Sequence, residues 1–452
     1  MKLSAGSEFV LNKIKENGGE AYVVGGAVRS FFLGLPADDF DVTCSLPPER
    51  VKEIFSSLGY TVIETGIKHG TVTARIDGEN VEITSFRSDG NYSDNRHPEK
   101  VEFVRTIESD LKRRDFTVNA ICFDGEKFVD LFDGRGDCER KLLKAIGCPE
   151  ERFKEDSLRI LRALRFASVL GFDIEKDTKA ALFAQKRLVL NLSKERIVKE
   201  LKGILTGDYA ERVLIEYKDI IALILPETEP CFGFGQNHPY HAYDVYVHSV
   251  KTCVALPKDP LLRLAGLTHD VGKPKTFFTD EKGIAHFYGH EKYSAELCEQ
   301  IADRLKLSGH DKKRYVAAVR WHHYPIIPRE VKEINELSDK YILRALNKFG
   351  EQTVRDVLSL QKAEAFAMTE EIKERAEKLL LTEDRLNALL SEKRAFSVGD
   401  LKVNGFDAKK AGLTGAQIGE ALNSLIKDVI DGKLKNERAE LLAALEEKAI
   451  KM

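Results

Sequence analysis

The feature that most constrains this chain is a succession packed into about twenty residues: a short apolar strand, a glycine pair, a helix, and two aspartates spaced i, i+2. Val23-Val24 runs into Gly25-Gly26-Ala27-Val28-Arg29, Val28 to Leu33 predicts a helix stopped at Leu33-Gly34, and Asp38-Asp39-Phe40-Asp41-Val42 returns as an acidic strand. A glycine turn opening a helix offers bare backbone N–H groups to a phosphate. If Phe40-Asp41-Val42 is extended, Asp39 and Asp41 point to one face of a sheet. Like charges held that close repel unless a cation lies between them. Two hard oxygen donors beside a phosphate cradle suit Mg²⁺, which keeps several waters and takes its remaining ligands from nucleotide phosphates. Solvated turns also use Asp-x-Asp, and only the order and separation of these segments set this pair apart.

Downstream, Thr71-Val72-Thr73-Ala74-Arg75-Ile76, the turn Asp77-Gly78, and Val81-Glu82-Ile83-Thr84-Ser85-Phe86 alternate in polarity and predict a hairpin. Glu82 lies between apolar Val81 and Ile83. The order of strand, glycine turn, helix and acidic strand resembles the nucleotidyltransferase superfamily of DNA polymerase β, in which a third acidic residue comes from a strand of this kind, and this makes Glu82 a candidate partner of the two aspartates; a carboxylate on a solvated strand face is the competing reading. Arg87 to Pro98 is polar and rich in turn formers and is expected to form a long mobile loop.

Length and composition fit an enzyme. The chain has 452 residues, 43% of them hydrophobic and 32% charged, enough for three or four units at about 100 to 150 residues each. No apolar run approaches the roughly 20 residues of a membrane span, and Met1-Lys2-Leu3-Ser4-Ala5-Gly6 lacks a signal-peptide core, so no membrane role and a cytoplasmic location are expected. Seven cysteines form no Cys-x-x-Cys pair, which argues against zinc ribbons and a disulfide framework. At a net charge of −3, nucleic-acid contact must come from local basic clusters.

Arg113-Arg114-Asp115-Phe116-Thr117-Val118-Asn119-Ala120 and Glu155-Asp156-Ser157-Leu158-Arg159 complete the pattern. In that order, with the glycine turn and the paired aspartates, the motifs resemble the class II CCA-adding tRNA nucleotidyltransferases and their bacterial poly(A) polymerase relatives. The resemblance is strong over residues 20 to 235 and weaker beyond. It implies in-line attack of a tRNA 3′-hydroxyl on the α-phosphate of CTP or ATP, with release of pyrophosphate by a two-metal mechanism. Asp39 and Asp41 would hold Mg²⁺, Gly25, Gly26 and Arg29 would receive the triphosphate, and Arg114, Asp115 and Asn119 would shape the nucleotide pocket. The family usually has Asp where this chain has Ser30, which leaves the support of the glycine turn open.

Glu155 to Phe166 is expected as one amphipathic helix, with Leu158, Leu161 and Leu164 on one stripe and Arg159, Arg162 and Arg165 on another. Taken alone, the arginine row is a solvated or RNA-facing face. Within the family the Glu-Asp-x-x-Arg turn selects the incoming base, and the matching residues are Asp156 and Arg159. A carboxylate accepts from the exocyclic amine of cytosine or adenine, while a guanidinium donates to their ring acceptors. Uracil and guanine reverse both patterns and leave buried polar groups unpaired.

A second cluster lies apart. Nine of the eleven histidines fall between positions 238 and 323. His248, the His269-Asp270 step, His290 and His322 succeed one another in an order that resembles an HD phosphohydrolase domain, which binds one or two divalent metals on a helical scaffold. Such a site usually closes with an Ala-Asp step; here Gln361-Lys362-Ala363-Glu364 leaves Glu364 as the substitute, or leaves a site that binds metal weakly. Mn²⁺, Ni²⁺ or Mg²⁺ is the expected ion, and phosphatase or 2′,3′-cyclic phosphodiesterase action on damaged tRNA ends is the implied side activity.

The expected fold is α/β plus all-α: a polymerase β-type head on a mixed sheet over 1–145, an elongated helical neck over 146–235, an HD body over 236–370, and a helical tail over 371–452. In the tail, Gly415 to Gly419 with Lys427, Lys433, Lys435 and Arg438 reads equally as contact with a tRNA acceptor arm or as a solvated helix face. No obligatory protein partner is evident. A poly(A) polymerase, a partial enzyme adding only CC or only A, and an HD phosphohydrolase carrying an inactive head remain open.

Overall fold

The computed structural model describes residues 1–37, 39–89, 101–236, 243–281, 283–326, 338–367 and 373–451. These fall into two compact units, Met1–Pro226 and Glu227–Met452.

The first unit is built on strands β1 (Ala21–Val24), β2 (Asp41–Cys44), β3 (Thr61–Ile63), β4 (Thr71–Ile76), β5 (Glu79–Ser85), β8 (Ile121–Phe123) and β9 (Phe128–Asp130), in the order β3-β4-β5-β2-β1-β8-β9. The expected hairpin is β4 and β5, with Thr73 opposite Glu82. β2 runs antiparallel to β1, placing Asp41 opposite Val24, and parallel to β5, placing Val42 beside Ile83. That parallel step needs a crossover. It is made through α3 (Pro48–Ser57), which buries Val51, Ile54 and Phe55. Helices α1 (Ala5–Glu16) and α2 (Gly26–Phe32) flank β1; α2 begins two residues earlier than expected, at Gly26. Its N-cap, Gly25, has φ +78°, a left-handed conformation that a side chain would strain.

The polar segment after β5 differs from expectation at its start. Arg87–Asp89 (β6) pairs antiparallel with Val101–Phe103 (β7), so Arg87 stands opposite Phe103. Residues 90–98 of the expected loop lie outside the described residues.

Two short helices, α4 (Ile107–Lys112) and α5 (Gly134–Arg140), complete the head, and the neck follows as α6 (Pro149–Glu155), α7 (Leu158–Leu170), α8 (Lys176–Ala184), α9 (Lys194–Thr206), α10 (Ala210–Glu216) and α11 (Lys218–Ile224). The neck belongs to the same compact unit because α7 shares its interior with the head: Phe166 packs edge-on against Phe116, ring centroids 6.0 Å apart. The single helix expected over Glu155–Phe166 is instead two. Asp156 is extended (φ −135°, ψ 102°), and its side chain accepts from the Leu158 N–H at 3.1 Å, capping a new helix. Leu158, Leu161 and Leu164 all lie in α7, after the break, so their periodicity could not show it.

The second unit is helical: α12 (Val245–Ala255), α13 (Pro260–Thr268), α14 (Lys273–Thr276), α15 (His290–Arg304), α16 (Gly309–Trp321), α17 (Asp339–Phe349) and α18 (Glu351–Phe366), then α19 (Lys373–Ser391), α20 (Gly405–Lys410), α21 (Ala416–Ile430) and α22 (Arg438–Lys451). Asp244, Asp259 and Ser308 cap α12, α13 and α16 with their side chains. One core joins Leu343, Leu346 and Leu358 of α17 and α18 to Leu386, Leu425, Ile426 and Leu441 of α19, α21 and α22. Among the described residues no helix is long and apolar enough to cross a membrane.

Candidate functional site

Because Val24 enters the glycine turn and stands opposite Asp41, the turn and the acidic strand share one end of the sheet. The Val42–Ile83 pairing brings Asp41 and Glu82 abreast on neighbouring parallel strands, and Asp39 lies just before β2. Asp41 keeps an exposed face, yet loss of hydration, then Asp39 and Glu82, push its carboxyl up to about 6 against the pull of Arg114. The guanidinium of Arg114 lies over the turn, its Nη1 3.8 Å from where a Gly25 side chain would begin. Asp110, fully buried, fixes it there: Oδ2 accepts from Arg114 Nη2 at 3.2 Å, while Oδ1 accepts from Arg113 Nη2 at 2.8 Å and Nε at 3.0 Å. Ser30 sits inside α2 and offers its carbonyl to the Leu33 and Leu35 N–H groups.

Behind the turn a chain of polar contacts leads to the neck. Arg29 Nη1 donates to Asn119 Oδ1, Asn119 Nδ2 donates to Asp115 Oδ1 at 2.9 Å, and Asp115 Oδ2 accepts from Arg162 Nε and Nη2 at 2.7 and 2.6 Å. Burial alone would raise the Asp115 carboxyl, but Arg162, Asn119 and the Phe116 N–H hold it down at about 2. The guanidinium groups of Arg29, Arg162 and Arg165 surround the Phe166 ring at 5.0, 5.2 and 4.3 Å from its centroid.

The arginines of α7 are therefore not a solvated row. Arg165 pairs with Glu200 at 2.5 Å. Arg159 is buried and donates to the Arg113 carbonyl at 2.6 Å, the Arg152 carbonyl at 3.0 Å and Glu155 at 2.9 Å. Asp156 caps α7 and lies 3.6 Å from Arg196. Arg159 is thereby tied to the segment that carries Arg114 and Asp115, through the Arg113 carbonyl.

In the second unit, α12, α13, α15, α16 and α18 bring His248, His269, Asp270, His290, His322 and Glu364 together. Asp270 is the centre: Oδ2 is 3.2 Å from His269 Nε2 and 2.6 Å from Lys273 Nζ, and Oδ1 is 3.1 Å from His290 Nε2. Burial alone would raise the Asp270 carboxyl, but His269 and Lys273 hold it well below its usual range. Burial holds His322 well below the ordinary imidazole value and His248 down at about 3, while His269 is pushed up against its burial by Asp270. Neutral His248 and His322 and ionised Asp270 and Glu364 are in the states a metal requires, while His269, drawn toward imidazolium by Asp270, must give up a proton to bind one. Glu364 Oε2 is buried without a hydrogen-bond partner, a donor left for a cation.

Among the described residues, the groups of three donors drawn within 4.8 Å of one another all lie in this unit. Asp39, Asp41 and Glu82 form no such group. Several contributors escaped the sequence reading. Asp110 precedes Arg113 and Arg114 by three and four residues, helical ion-pair spacing that was readable. His323 is adjacent to His322. Lys273 follows Asp270 by three residues, the same readable spacing, whereas Glu200 and Arg196 gave no local signal, since their partners Arg165 and Asp156 are distant in sequence. In the tail, Arg438 is committed to Asp407 at 2.6 Å and Lys433 stands 3.7 Å from Asp428, while Lys427 and Lys435 are exposed.

Residues 21–144 match the Poly A polymerase head domain, 171–232 the probable RNA- and SrmB-binding site of polymerase A, and 240–369 the HD domain. The chain is 46% identical over 211 residues to a CCA-adding enzyme of Ligilactobacillus salivarius, spanning about half (51%) of that relative's length. To the CCA-adding enzyme of Limosilactobacillus fermentum it is 32% identical over 439 residues, which covers 96% of this chain and 94% of that one. The crystal structure of Bacillus stearothermophilus CCA-adding enzyme in complex with CTP superposes with a TM-score of 0.71 at 27% identity, over 100% of this chain and 99% of the other. With the polymerase-type head, the neck and the HD segment in one order, and a relative aligned over nearly its whole length, the chain belongs to the CCA-adding enzyme family.

Proposed function

We propose that the chain adds cytidine, cytidine and adenosine to the 3′ end of tRNA from CTP and ATP, without a nucleic-acid template and with release of pyrophosphate. The observation that carries this reading is the register of β2, which puts Asp41 beside both Glu82 and the strand that opens the glycine turn. Asp39 and Asp41 are the Mg²⁺ ligands, with Glu82 alongside; burial, then repulsion from Asp39 and Glu82, lifts Asp41, and a cation between the carboxylates relieves that repulsion. When bound, Mg²⁺ lowers the pKa of the attacking hydroxyl and offsets charge on the triphosphate. Gly25, Gly26, Arg29 and Arg114 receive the phosphates. Arg29 Nε and Arg114 Nε are buried with no acceptor in the protein, which a phosphate oxygen would supply. The family's base selection falls to Asp156 and Arg159, which exchange the Leu158 N–H, Arg196 and the Arg113 carbonyl for the edge of cytosine or adenine. The substrate is the tRNA acceptor arm, held by the neck and tail through backbone contacts and shape. The work is cytoplasmic.

The test is incubation with tRNA lacking its last three nucleotides, with CTP alone, ATP alone, and both. Two cytidines with CTP and a complete CCA with both nucleotides are expected. Adenosine addition to the shortened end from ATP alone overturns the proposal in favour of a poly(A) polymerase; arrest after CC with both present leaves a partial enzyme.

A second activity is favoured by the histidine cluster. His248, His269, Asp270, His290, His322 and Glu364 hold a divalent metal, Mn²⁺, Ni²⁺ or Mg²⁺, and support phosphomonoester or 2′,3′-cyclic phosphodiester hydrolysis at damaged tRNA ends. Release of phosphate from such an end by the His269→Ala variant at the unaltered rate would refute it.

A further inference from the structure

Beside the histidine cluster, the second unit presents a group of exposed rings that neither activity yet uses. A short strand, Phe278–Thr279, pairs antiparallel with Ala285–His286, which sets Phe278 directly opposite His286. Side chains alternate across such a hairpin. One face carries Phe277 and Phe287, ring centroids 5.8 Å apart, and is anchored: Phe277 meets Phe234 at 5.4 Å, and the Phe287 ring lies 5.4 Å from Lys273 Nζ. The other face carries Phe278, His286 and Tyr288. The His286 ring is nearly parallel to both neighbours, at 5.2 Å and 28° from Phe278 and at 5.3 Å and 16° from Tyr288. Phe278 and Tyr288 are themselves 5.6 Å apart.

Holding the hairpin together does not require all three rings. Phe278 and His286 form a cross-strand pair, which stabilises two strands too short to persist alone. His286 is fixed further by Asp280, whose Oδ2 lies 2.9 Å from Nε2 and whose Oδ1 accepts from the Ile284 N–H at 2.9 Å. Tyr288 lies past the last paired residue and is 74% exposed, beside Phe278 at 45%. Adjacent large rings left in water mark a binding surface.

What covers these rings follows from where the hairpin ends. Tyr288 precedes His290 by two residues, so their Cα atoms are at most about 7 Å apart. His290 Nδ1 is 2.8 Å from the Phe287 carbonyl, so the hairpin itself orients that imidazole. His290 also borders the open side of the cluster, its ring 4.8 Å from that of His323, whose side chain is 39% exposed. A phosphoester entering there carries its nucleoside past the rings. Every nucleobase has a flat π-face that stacks on aromatic side chains.

We propose that Tyr288, with Phe278 and His286, is a stacking platform for the base of a nucleoside phosphate whose phosphate enters the histidine cluster. This rests on the reading of that cluster as a phosphohydrolase centre. Stacking tolerates any base, so the platform favours nucleotide ends over other phosphomonoesters without reading sequence.

The test uses the full chain with Mn²⁺ and two short single-stranded RNAs bearing a 3′-phosphate, one ending in cytidine and one in an abasic residue. Phosphate release is measured. In Tyr288→Ala, KM for the cytidine end should rise roughly tenfold or more relative to the abasic end, with the change in KM rather than kcat, and Tyr288→Phe should match the unaltered chain. A KM that does not move, or that rises equally for both ends, overturns the platform and leaves the hydrolase reading standing. Free cytidine 3′-phosphate identifies the source of the base: a KM like that of the RNA assigns recognition to the nucleotide alone, and a much higher one assigns it to an RNA end. Tyr288 is exposed, so an unchanged thermal midpoint separates lost stacking from misfolding. Ultraviolet crosslinking of the same RNA ending in 4-thiouridine 3′-phosphate, mapped by mass spectrometry, needs no turnover. Attachment at Phe278, His286 or Tyr288 is expected. If it occurs while the unaltered chain releases no phosphate, the hydrolase reading fails and the platform stands; attachment confined to the first unit overturns the platform.

Discussion

Asp41 faces Asp39 and Glu82 with Arg114 opposing them, and its carboxyl stands at about 6 rather than near 4. Because this pKa is raised on folding, the folded chain holds the proton more tightly than the unfolded one, and the metal-free protein loses stability as pH rises from about 4 through 6. Mg²⁺ must displace that proton. In a His269→Ala background, which weakens the HD cluster's response, Mg²⁺ should raise the thermal midpoint at pH 8 and leave it unchanged near pH 5; Asp41→Asn should abolish the shift. Calorimetry checks both. Asp115 obeys the opposite sign. Held at about 2, it contributes stability that is present above its unfolded value near 4 and is lost only as pH falls toward 2. Arg162→Leu leaves that buried carboxylate unpaired and should cost about 3 kcal/mol in denaturant unfolding at pH 8. The deficit should shrink toward pH 4, as the stranded carboxyl takes up a proton.

The break between α6 and α7 gives Asp156 two jobs that substitutions can separate. Asp156→Ala removes the cap on the Leu158 N–H and should cost about 1 kcal/mol. Asp156→Asn keeps an acceptor for the cap but presents an amide in place of the carboxylate. It should unfold within about 0.5 kcal/mol of the unaltered chain while misincorporating UTP, read by sequencing of product 3′ ends. The elements that the sequence made legible are those with local signals: the glycine turn, the β4–β5 hairpin at Asp77-Gly78, and the histidine order. The α6–α7 break was not legible, because Leu158, Leu161 and Leu164 all lie within α7 and say nothing of the residues before it, and only Asp156's extended backbone makes the cap. The pairing of Arg159, Arg162 and Arg165 was hidden for a different reason. Their partners, the Arg113 carbonyl, Asp115 and Glu200, are 35 to 47 residues away, beyond any periodicity argument.

At the scale of the whole chain, transfer and hydrolysis are assigned to different compact units, each with its own donors. Asp41→Ala should abolish nucleotide addition and leave metal-dependent phosphate release intact, and His269→Ala should do the reverse; assay of both reactions on both variants checks the separation. Affinity for tRNA should fall steeply with salt despite the net charge of −3, since contact is through phosphates. The central claim is that the acidic end of the sheet beside the glycine turn is where transfer occurs. Its most direct test is the single-turnover rate of CMP addition from CTP to tRNA lacking its last three nucleotides, measured for Asp41→Asn beside the unaltered chain. A loss of about 10³-fold or more, with manganese binding in the second unit unchanged, is predicted. A variant that adds CMP within tenfold of the unaltered rate would contradict the account.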